Sequence, residues 1–484
     1  MQPLWILISF LVYTALLFIV SHFTSKNADN DSFFRANRKS PWYVVAYGMI
    51  GASLSGVTFI SVPGAVGKSH FSYLLMVMGY LFGYWFIIKV LLPLYYKLNL
   101  TSIYSYLQSR FGKRAYKSGA IYFLISRVIG ASFRMFLVVS VLQYFVLDYY
   151  GIPFVFTVAA FILLILLYTM KAGIKTIVWT DTLQTTFMLA SVVISLYFIA
   201  KGMHLTTNSL YQKIAASSYS SVFDTDWHSP RFFIKQFISG MFITIVMTGL
   251  DQDMMQKNLS CRNLKEAQKN MTWMSLSLIP INLLFLSLGA ALFIFASYLN
   301  INIPAKADQL FPLIAFKHMG LFAGIVFIIG LIAAAYSSAD SALTSLTTSM
   351  SVDIFNLEKR KDLSKNQKIK YRKYIHFGMS FLVFIVIVLF NKINKDSVIN
   401  ELFTVAGYTY GPLLGLFTFG LFTKIKIKDK LIPIIVIISP IISYLLNAIA
   451  PHWGYHFGFE ILLVNGAITF FGLYLLRQKS IISQ

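Results

Sequence analysis

Thirteen long apolar blocks, each about the length of a membrane-crossing helix, restrict what this sequence can fold into. A helix needs roughly 17 to 25 apolar residues to cross about 30 Å of hydrocarbon. None of the blocks shows the two-residue alternation of a membrane β-barrel strand. With 57% hydrophobic and only 12% charged residues, the sequence predicts an all-α integral membrane protein.

The predicted spans form a single domain over residues 1–484. The first block lacks a preceding basic stretch and a small-residue cleavage site, so a retained helix is expected there and not a signal peptide. The thirteen spans are approximately 3–23, 42–67, 72–96, 118–147, 153–170, 177–200, 232–250, 271–297, 320–350, 375–391, 398–422, 431–449 and 457–476.

The basic residues are distributed between the loops in a way that predicts orientation. The net charge is +23, with 41 lysines and arginines against 18 acidic residues. If the N-terminus is outside, the loops and tail on the cytoplasmic side carry about three times as many basic residues as the outer loops. We therefore expect the N-terminus outside and the C-terminus in the cytoplasm, in a plasma (inner) membrane. Because the charge forms no single patch, no nucleic-acid partner is expected.

The second span contains a run of small and polar residues, GASLSGVTFISVPG at 51–64. Such a run favours an interrupted helix, because small side chains do not shield the backbone. An interruption would expose carbonyls for a cation and N–H groups for an anion. The alternative is a small-residue face that lets two helices approach closely. The residues alone leave both interpretations open.

A carboxylate, Asp181 in VWTDTLQ, lies within the first two turns of the sixth span. A charge in the middle of a bilayer costs about 2.5–3.5 kcal/mol on insertion scales, so it is usually paired or functional. The alternative is an interfacial carboxylate balanced by Lys171 and Lys175.

The ninth span ends in the hydroxyl-rich stretch YSSADSALTSLTTS, residues 336–349. In a helix, several of these residues fall on one stripe with an alanine carbonyl. A hard cation such as Na⁺ prefers oxygen ligands of this kind. The alternative is hydrogen bonding of each hydroxyl to a carbonyl one turn earlier. The stripe consists of Ala334, Ser337, Ser338, Ser341 and Ser345.

Two arginines in the fourth span, Arg127 and Arg134, are seven residues apart and so lie on nearly the same helix face. They are expected either to pair with Asp181 or Asp340, or to hold a substrate carboxylate in the planar guanidinium fork. The sequence contains no phosphate-binding glycine loop, nucleophile elbow or catalytic zinc pattern, so no enzymatic activity and no cofactor are predicted.

Four strings in this order resemble the sodium:solute symporter family: SLSGVTFISVPG, VWTDTLQ, GLDQDMMQKNLSCRNLKEAQKN and AAAYSSADSALTSL. The resemblance covers nearly the whole chain. It implies a leucine-transporter-type fold of five plus five helices in inverted repeats, with one leading helix (3–23) and two trailing helices (431–476). The repeats would be 42–200 and 232–422, with broken helices near 53–56 and near Gly240 to Gly249.

The same resemblance implies two places for sodium. The main site would use the backbone carbonyls of Gly51, Leu54 and Ala334 with the hydroxyls of Ser337 and Ser338. A second site would use Asp181 and Ser341, sharing Ser337, with Asp340 where two-sodium members carry serine.

For the solute, the resemblance implies contacts from Ser53, Ser55, Thr58 and Phe59 after the first break, and from Arg134 to a carboxylate. The implied function is sodium-coupled import of a small organic anion, such as a sialic acid or a monocarboxylate, by a carrier that is functional as a monomer in the lipid bilayer. A symporter of sugars or other neutral solutes, a proton-coupled carrier and a sensor of transporter fold are the alternatives. Sodium is the only metal expected.

Overall fold

The computed structural model of the protein describes residues 3–25, 29–170, 173–393 and 398–478, and these residues are almost entirely helical. Their only extended pairings are two isolated bridges, Ser40 with Cys261 and Ile427 with Arg477. Thirteen apolar segments, α1 to α13, form the body of the described chain, and the predicted all-α membrane fold is confirmed. Short connecting helices include Asn30–Arg35, Ser105–Arg110, Thr207–Ala215 and Leu310–Lys317.

Ten of these segments are long and apolar enough to cross a membrane as single helices, α7 is a bent pair, and α5 and α13 are shorter. Each of the thirteen predicted spans corresponds to one of them. Their bounds are α1 Leu4–Thr24, α2 Trp42–Ser69, α3 Tyr73–Lys97, α4 Lys113–Tyr150, α5 Phe154–Thr169, α6 Ile174–Gly202, α7 Phe233–Gly249 with Gln252–Asn258, α8 Leu264–Tyr298, α9 Gly320–Ile354, α10 Lys365–Lys392, α11 Val398–Phe422, α12 Asp429–Trp453 and α13 Ile461–Leu475.

The burial of the helices separates a central group from a peripheral one. In α2, 83% of the most apolar stretch is buried inside the protein, against 22% in α12 and 33% in α1 and α10. The peripheral helices present large apolar side chains outward, such as Val12, Phe381 and Ile437, as lipid contact requires. The central group is α2, α6 and α9, which pack on one another. The small and polar run at 51–64 and the hydroxyl-rich stretch at 336–349 therefore lie in the core. The division into repeats at 42–200 and 232–422 stays a prediction.

The helix α2 is interrupted at Ser55, within the predicted stretch 53–56. Ser55 has φ 56° and ψ 173°, whereas the residues around it are helical. Gly56 follows directly and lies against Val138 of α4, so closely that a β-carbon there would contact the valine side chain. The interrupted-helix interpretation is confirmed, and the break faces α4.

The second break lies at the end of the predicted stretch Gly240 to Gly249. The two parts of α7, Phe233–Gly249 and Gln252–Asn258, meet at an angle of 68°. The helix continues through Gly240 without a break. This glycine lies against the backbone of Met76 in α3, where no side chain fits. Gly240 is therefore a helix-crossing residue, and the bend falls at Leu250 and Asp251.

The second part of α7 and the turn that follows it are buried. All seven residues of Gln252–Asn258 are buried, and so is Cys261, the single cysteine of the sequence. Burial, with a smaller contribution from the charge of Glu266, raises the pKa of Cys261 to about 12. The thiol is therefore protonated and shielded at neutral pH.

We expect Cys261 to be nearly inert to maleimide in the folded protein, because the thiolate is the reactive form and the side chain is buried. Mass spectrometry after timed labelling at pH 7.5, with and without denaturant, measures this. An Asn208→Cys variant, whose exposed position provides a second thiol, is the control and should be labelled once in the folded state. Rapid labelling of Cys261 in the folded protein would contradict the buried placement.

Candidate functional site

A cavity with an empty volume of about 730 Å³ lies beside the break in α2. Four of the five residues predicted to contact the solute line it: Ser53, Ser55, Thr58 and Arg134. The remaining walls come from α3, α7, α8 and α11. Several of these wall residues were not predicted, and they are Tyr73, Tyr80, Tyr84, Thr244, Thr248, Asn282 and Phe403.

The fifth predicted residue, Phe59, lies elsewhere. Its side chain is fully buried, with its ring 5.4 Å from that of Phe311 and 5.7 Å from that of Phe327. The helix resumes after Ser55, and each residue then advances the face by about 100°. Phe59 therefore points away from the cavity that its neighbour Thr58 lines, and its predicted contact with the solute is replaced by aromatic packing.

The cavity adjoins a larger one that leads towards a single side of the protein. This second cavity has an empty volume of about 1270 Å³ and shares Tyr73, Ile399 and Phe403 with the first. Its wall includes Lys68 and Arg231, which lie in the predicted outer loops. The second cavity therefore lies between the cavity at the break in α2 and residues of the predicted outer loops.

The two arginines of α4 have different surroundings. Arg127 pairs with Asp253, and its other terminal nitrogen lies 4.0 Å from Asp251. Arg134 has no ion-pair partner within the described residues, and its Nε has no hydrogen-bond partner there. The expected pairing of an arginine with Asp181 or Asp340 is wrong, because Asp253 and Asp251 occupy Arg127. The charge of Arg134 is thus available to the cavity.

Apart from Arg127, the polar side chains that line the cavity with Arg134 are neutral. None of the described residues that line the cavity is acidic. The hydroxyls of Tyr73 and Tyr80 lie 3.0 Å apart. Asn282 donates from Nδ2 to the carbonyl of Leu278 at 2.7 Å, while its buried Oδ1 has no partner in the described chain. The cavity thus offers the positive charge of Arg134, several hydroxyls and one free acceptor, while the charge of Arg127 is already paired with Asp253.

The residues of the predicted main sodium site lie on two helices that pack together, α2 and α9. Gly51 and Leu54 belong to the turn before the break, where carbonyls lack their usual N–H donors. On α9, the Ser338 hydroxyl donates to the Ala334 carbonyl over a long 3.3 Å, and both residues are buried. The ligands offered are carbonyl and hydroxyl oxygens, the set that suits Na⁺.

Hydrogen bonds of hydroxyl groups connect this region to α6. Thr185 Oγ1 accepts from the backbone N–H of Gly51 at 3.1 Å and donates to the carbonyl of Asp181 at 2.8 Å. Ser337 Oγ donates to Asp181 Oδ1 at 2.7 Å. Of the two predicted main-site hydroxyls, Ser337 therefore already donates a short hydrogen bond to a carboxylate. Within the described chain, the Ser338 hydroxyl makes only the long hydrogen bond to the Ala334 carbonyl.

The three residues predicted for a second sodium site point to three different partners. Asp181 accepts from the Lys257 ammonium at 2.6 Å, Ser341 donates to Asp253 at 3.2 Å, and Asp340 accepts from the Tyr168 hydroxyl at 2.7 Å. Among the described residues, no hydrogen bond joins these three side chains to one another. The interfacial interpretation of Asp181 is also wrong, because this side chain is 1% exposed and its counter-charge is Lys257.

The comparisons with known proteins identify the family of the chain. Residues 33–428 match the sodium:solute symporter family, and the chain belongs to that family. It is 24% identical over 424 residues to the sodium/sialic acid symporter SiaT of Proteus mirabilis (strain HI4320), covering 85% of this chain and 83% of the relative. It is 22% identical over 421 residues to the sodium/sialic acid symporter NanT of Aliivibrio fischeri (strain ATCC 700601 / ES114), with coverages of 85% and 81%.

Solved structures show the same fold. A substrate-bound, outward-open Na⁺-coupled sialic acid symporter superposes with a TM-score of 0.83 at 21% identity, covering 97% of each chain. A nucleobase-cation-symport-1 family transporter superposes with a TM-score of 0.56 at 13% identity. The predicted family and the leucine-transporter-type fold are confirmed, and the protein is a multi-pass membrane transporter.

Proposed function

We propose that this protein imports a small organic anion together with Na⁺. The observation that carries the proposal is Arg134, a cavity-lining guanidinium without a carboxylate partner among the described residues, in a cavity whose described lining contains no acid. A planar guanidinium binds a carboxylate through two parallel hydrogen bonds. A neutral sugar would leave this buried charge uncompensated, which is unfavourable.

The neutral polar groups of the cavity further restrict the class of solute that it can bind. The free Oδ1 of Asn282 needs an O–H or N–H donor, and the tyrosine hydroxyls of α3 both donate and accept. A carboxylate that also carries hydroxyl or amide groups, such as a sialic acid, satisfies this lining, whereas a short monocarboxylate without such groups offers no donor to the Asn282 acceptor. Relatives that transport sialic acid support the same class of solute.

Sodium would couple to transport through α2 and α9. We place it between the carbonyls before the break and Ser338, so that it favours the conformation in which the two helices are in contact. A tenfold Na⁺ gradient supplies about 1.4 kcal/mol per ion. Each net positive charge moved inward adds about 2.3 kcal/mol per 100 mV. Outward opening of the cavity towards the predicted external loops is consistent with import.

The remaining features are proposals of the same kind. We propose a plasma (inner) membrane carrier with its N-terminus outside and its C-terminus in the cytoplasm, because the basic loops follow the positive-inside rule. It would act as a monomer within the lipid bilayer, since one chain contains both the cavity and the proposed sodium ligands. We also propose that it uses no cofactor and has no enzymatic activity.

A ligand screen tests the proposed solute class. Purified protein in detergent is heated with NaCl or choline chloride, each with a sialic acid, a short monocarboxylate or a neutral sugar, and its unfolding temperature is followed. We expect the sialic acid to stabilise the protein in NaCl only. Stabilisation by the neutral sugar and by neither acid would overturn the assignment of an anionic solute, and equal shifts in choline would overturn sodium coupling.

A substitution at Ser338 tests the sodium site. We expect Ser338→Ala to weaken Na⁺ activation of uptake at least tenfold, because it removes a hydroxyl ligand from a buried cation. The control is Ser345→Ala, two turns further along α9, where the hydroxyl donates to the Ala342 carbonyl. The measurement is solute uptake into proteoliposomes over a range of external Na⁺. An unchanged Na⁺ dependence in Ser338→Ala would place the ion elsewhere.

A further inference from the structure

A buried lysine lies where the family resemblance implies a second sodium ion. Lys257 belongs to the second part of α7 and is 1% exposed, as is its partner Asp181. The ammonium Nζ lies 2.6 Å from Asp181 Oδ2, and Ser337 Oγ lies 2.7 Å from Asp181 Oδ1. Both carboxylate oxygens therefore have a donor before any ion enters.

The bend in α7 explains how a lysine reaches this position. After Gly249 the chain turns by 68°, and the seven-residue segment that follows packs against α6 and α9. Asp251 caps this segment by accepting the backbone N–H of Asp253 at 2.9 Å. Lys257 lies in the last turn of this segment. Its side chain is 1% exposed and extends into the protein core.

The carboxylate of Asp181 has its own counter-charge among the described residues. Its single negative charge is balanced by a single ammonium at contact distance. The next carboxylate on α9, Asp340, accepts from the neutral hydroxyl of Tyr168 of α5, and its Oδ1 has no hydrogen-bond partner in the described chain. Asp253 is paired with Arg127. An additional Na⁺ beside Asp181 would have to share a carboxylate already neutralised, in a region with little water, where an uncompensated charge is strongly disfavoured.

We propose that the ammonium of Lys257 takes the place of a second sodium ion beside Asp181, so that the carrier binds and moves one Na⁺ with each solute. The inference rests on the proposed function for the existence of the first sodium site. It assigns Lys257 as a positioning residue: a permanently attached cation holds Asp181 and Ser337 in the arrangement that an ion would otherwise maintain. With a monovalent anion, transport would then carry no net charge.

The stoichiometry of Na⁺ binding tests this directly. Equilibrium binding of radioactive Na⁺ to the purified full-length protein is expected to saturate at one ion per chain, and Ser338→Ala should reduce that affinity at least tenfold. Saturation at two ions per chain would overturn the inference while leaving sodium coupling intact. Absence of any saturable binding would instead overturn the proposed function, so the two failures are distinguishable.

Variants at Lys257 provide the second measurement. Lys257→Met leaves the carboxylate of Asp181 without a counter-charge, and we expect it to bind two Na⁺ per chain. Lys257→Met combined with Asp181→Asn should return to one ion, and Lys257→Arg, which keeps the charge, should remain at one. If Lys257→Met folds and still binds only one ion, Lys257 is a structural ion-pair partner and not a replacement for sodium. The wild-type stoichiometry decides the question if the methionine variant fails to fold.

Discussion

Replacing Arg134 with alanine is expected to reduce uptake of an organic anion at least a hundredfold. The guanidinium has no ion-pair partner among the described residues and faces the cavity at the α2 break, so its charge is available for the solute. A hydrogen bond to a charged group contributes about 1.5–3 kcal/mol, and a bidentate contact supplies two of them. Losing about 3 kcal/mol corresponds to roughly two orders of magnitude in affinity. Initial rates of labelled sialic acid uptake into proteoliposomes measure the effect.

Controls separate this role from a structural one. Arg134→Lys keeps the charge but not the planar fork, so an intermediate loss is expected. Arg114→Ala, on the exposed first turn of the same helix, should transport normally. The Na⁺-induced thermal shift should persist in Arg134→Ala, because the predicted sodium ligands lie on α2 and α9. Unchanged anion uptake in Arg134→Ala would show that another group holds the carboxylate.

The fold could be predicted because lipid imposes a simple requirement on the sequence. Every backbone polar group inside the bilayer needs an internal partner, so spans appear as apolar blocks of helical length. The small residues of 51–64 left an interrupted helix and a packing face both open, and the family resemblance located the break near Ser55. The same resemblance implied a second break near Gly240 to Gly249, whereas Gly240 lies at a close helix crossing and the bend follows at Leu250 and Asp251.

The pairing of the buried charges could not be predicted. Asp181 and Lys257 are 76 residues apart, and their contact depends on the bend angle of α7, which the sequence does not specify. No partner was assigned to Lys257 from the sequence. The signal that was available is the acid-rich string DQDMMQK at 251–257, whose charged residues would all have been exposed in an ordinary loop and are in fact buried.

The cavity wall was predicted only in part for a related reason. Ser53, Ser55 and Thr58 follow from the break, but the opposite wall comes from helices whose rotation depends on packing. Tyr73, Tyr80 and Tyr84 read as ordinary aromatic residues of an apolar span. Asn282 was a stronger signal, because an amide in the middle of an apolar block is expensive without a role.

The buried ion pair between Arg127 and Asp253 provides the second large expected effect. Asp253→Asn should lower the free energy of unfolding by about 3–5 kcal/mol, because it leaves the guanidinium of Arg127 buried without its main counter-charge. The side chains of Arg127 and Asp253 are 4% and 0% exposed. Asp251 gives only partial compensation, since it lies 4.0 Å from Arg127 and already accepts from Tyr410 at 2.5 Å. Denaturant unfolding in detergent, followed by tryptophan fluorescence, measures the loss.

The same pair also connects the cavity wall on α4 to α7 and α9, so its loss should affect transport as well as stability. Arg127 lines both the solute cavity and a smaller one of about 280 Å³ that Tyr410 also lines, while Asp253 accepts from Ser341 on α9. Breaking the pair therefore loosens contacts between α4, α7 and α9 at once.

The matched control is Asp362→Asn, which removes the exposed pair with Arg360 and should leave the free energy of unfolding unchanged, because solvent screens exposed pairs. Equal stability of Asp253→Asn and Asp362→Asn would contradict a buried, mutually dependent pair. A double variant with Arg127→Met and Asp253→Leu should recover most of the stability but not the uptake, since it removes both charges together and also removes the contact between Asp253 and Ser341 of α9.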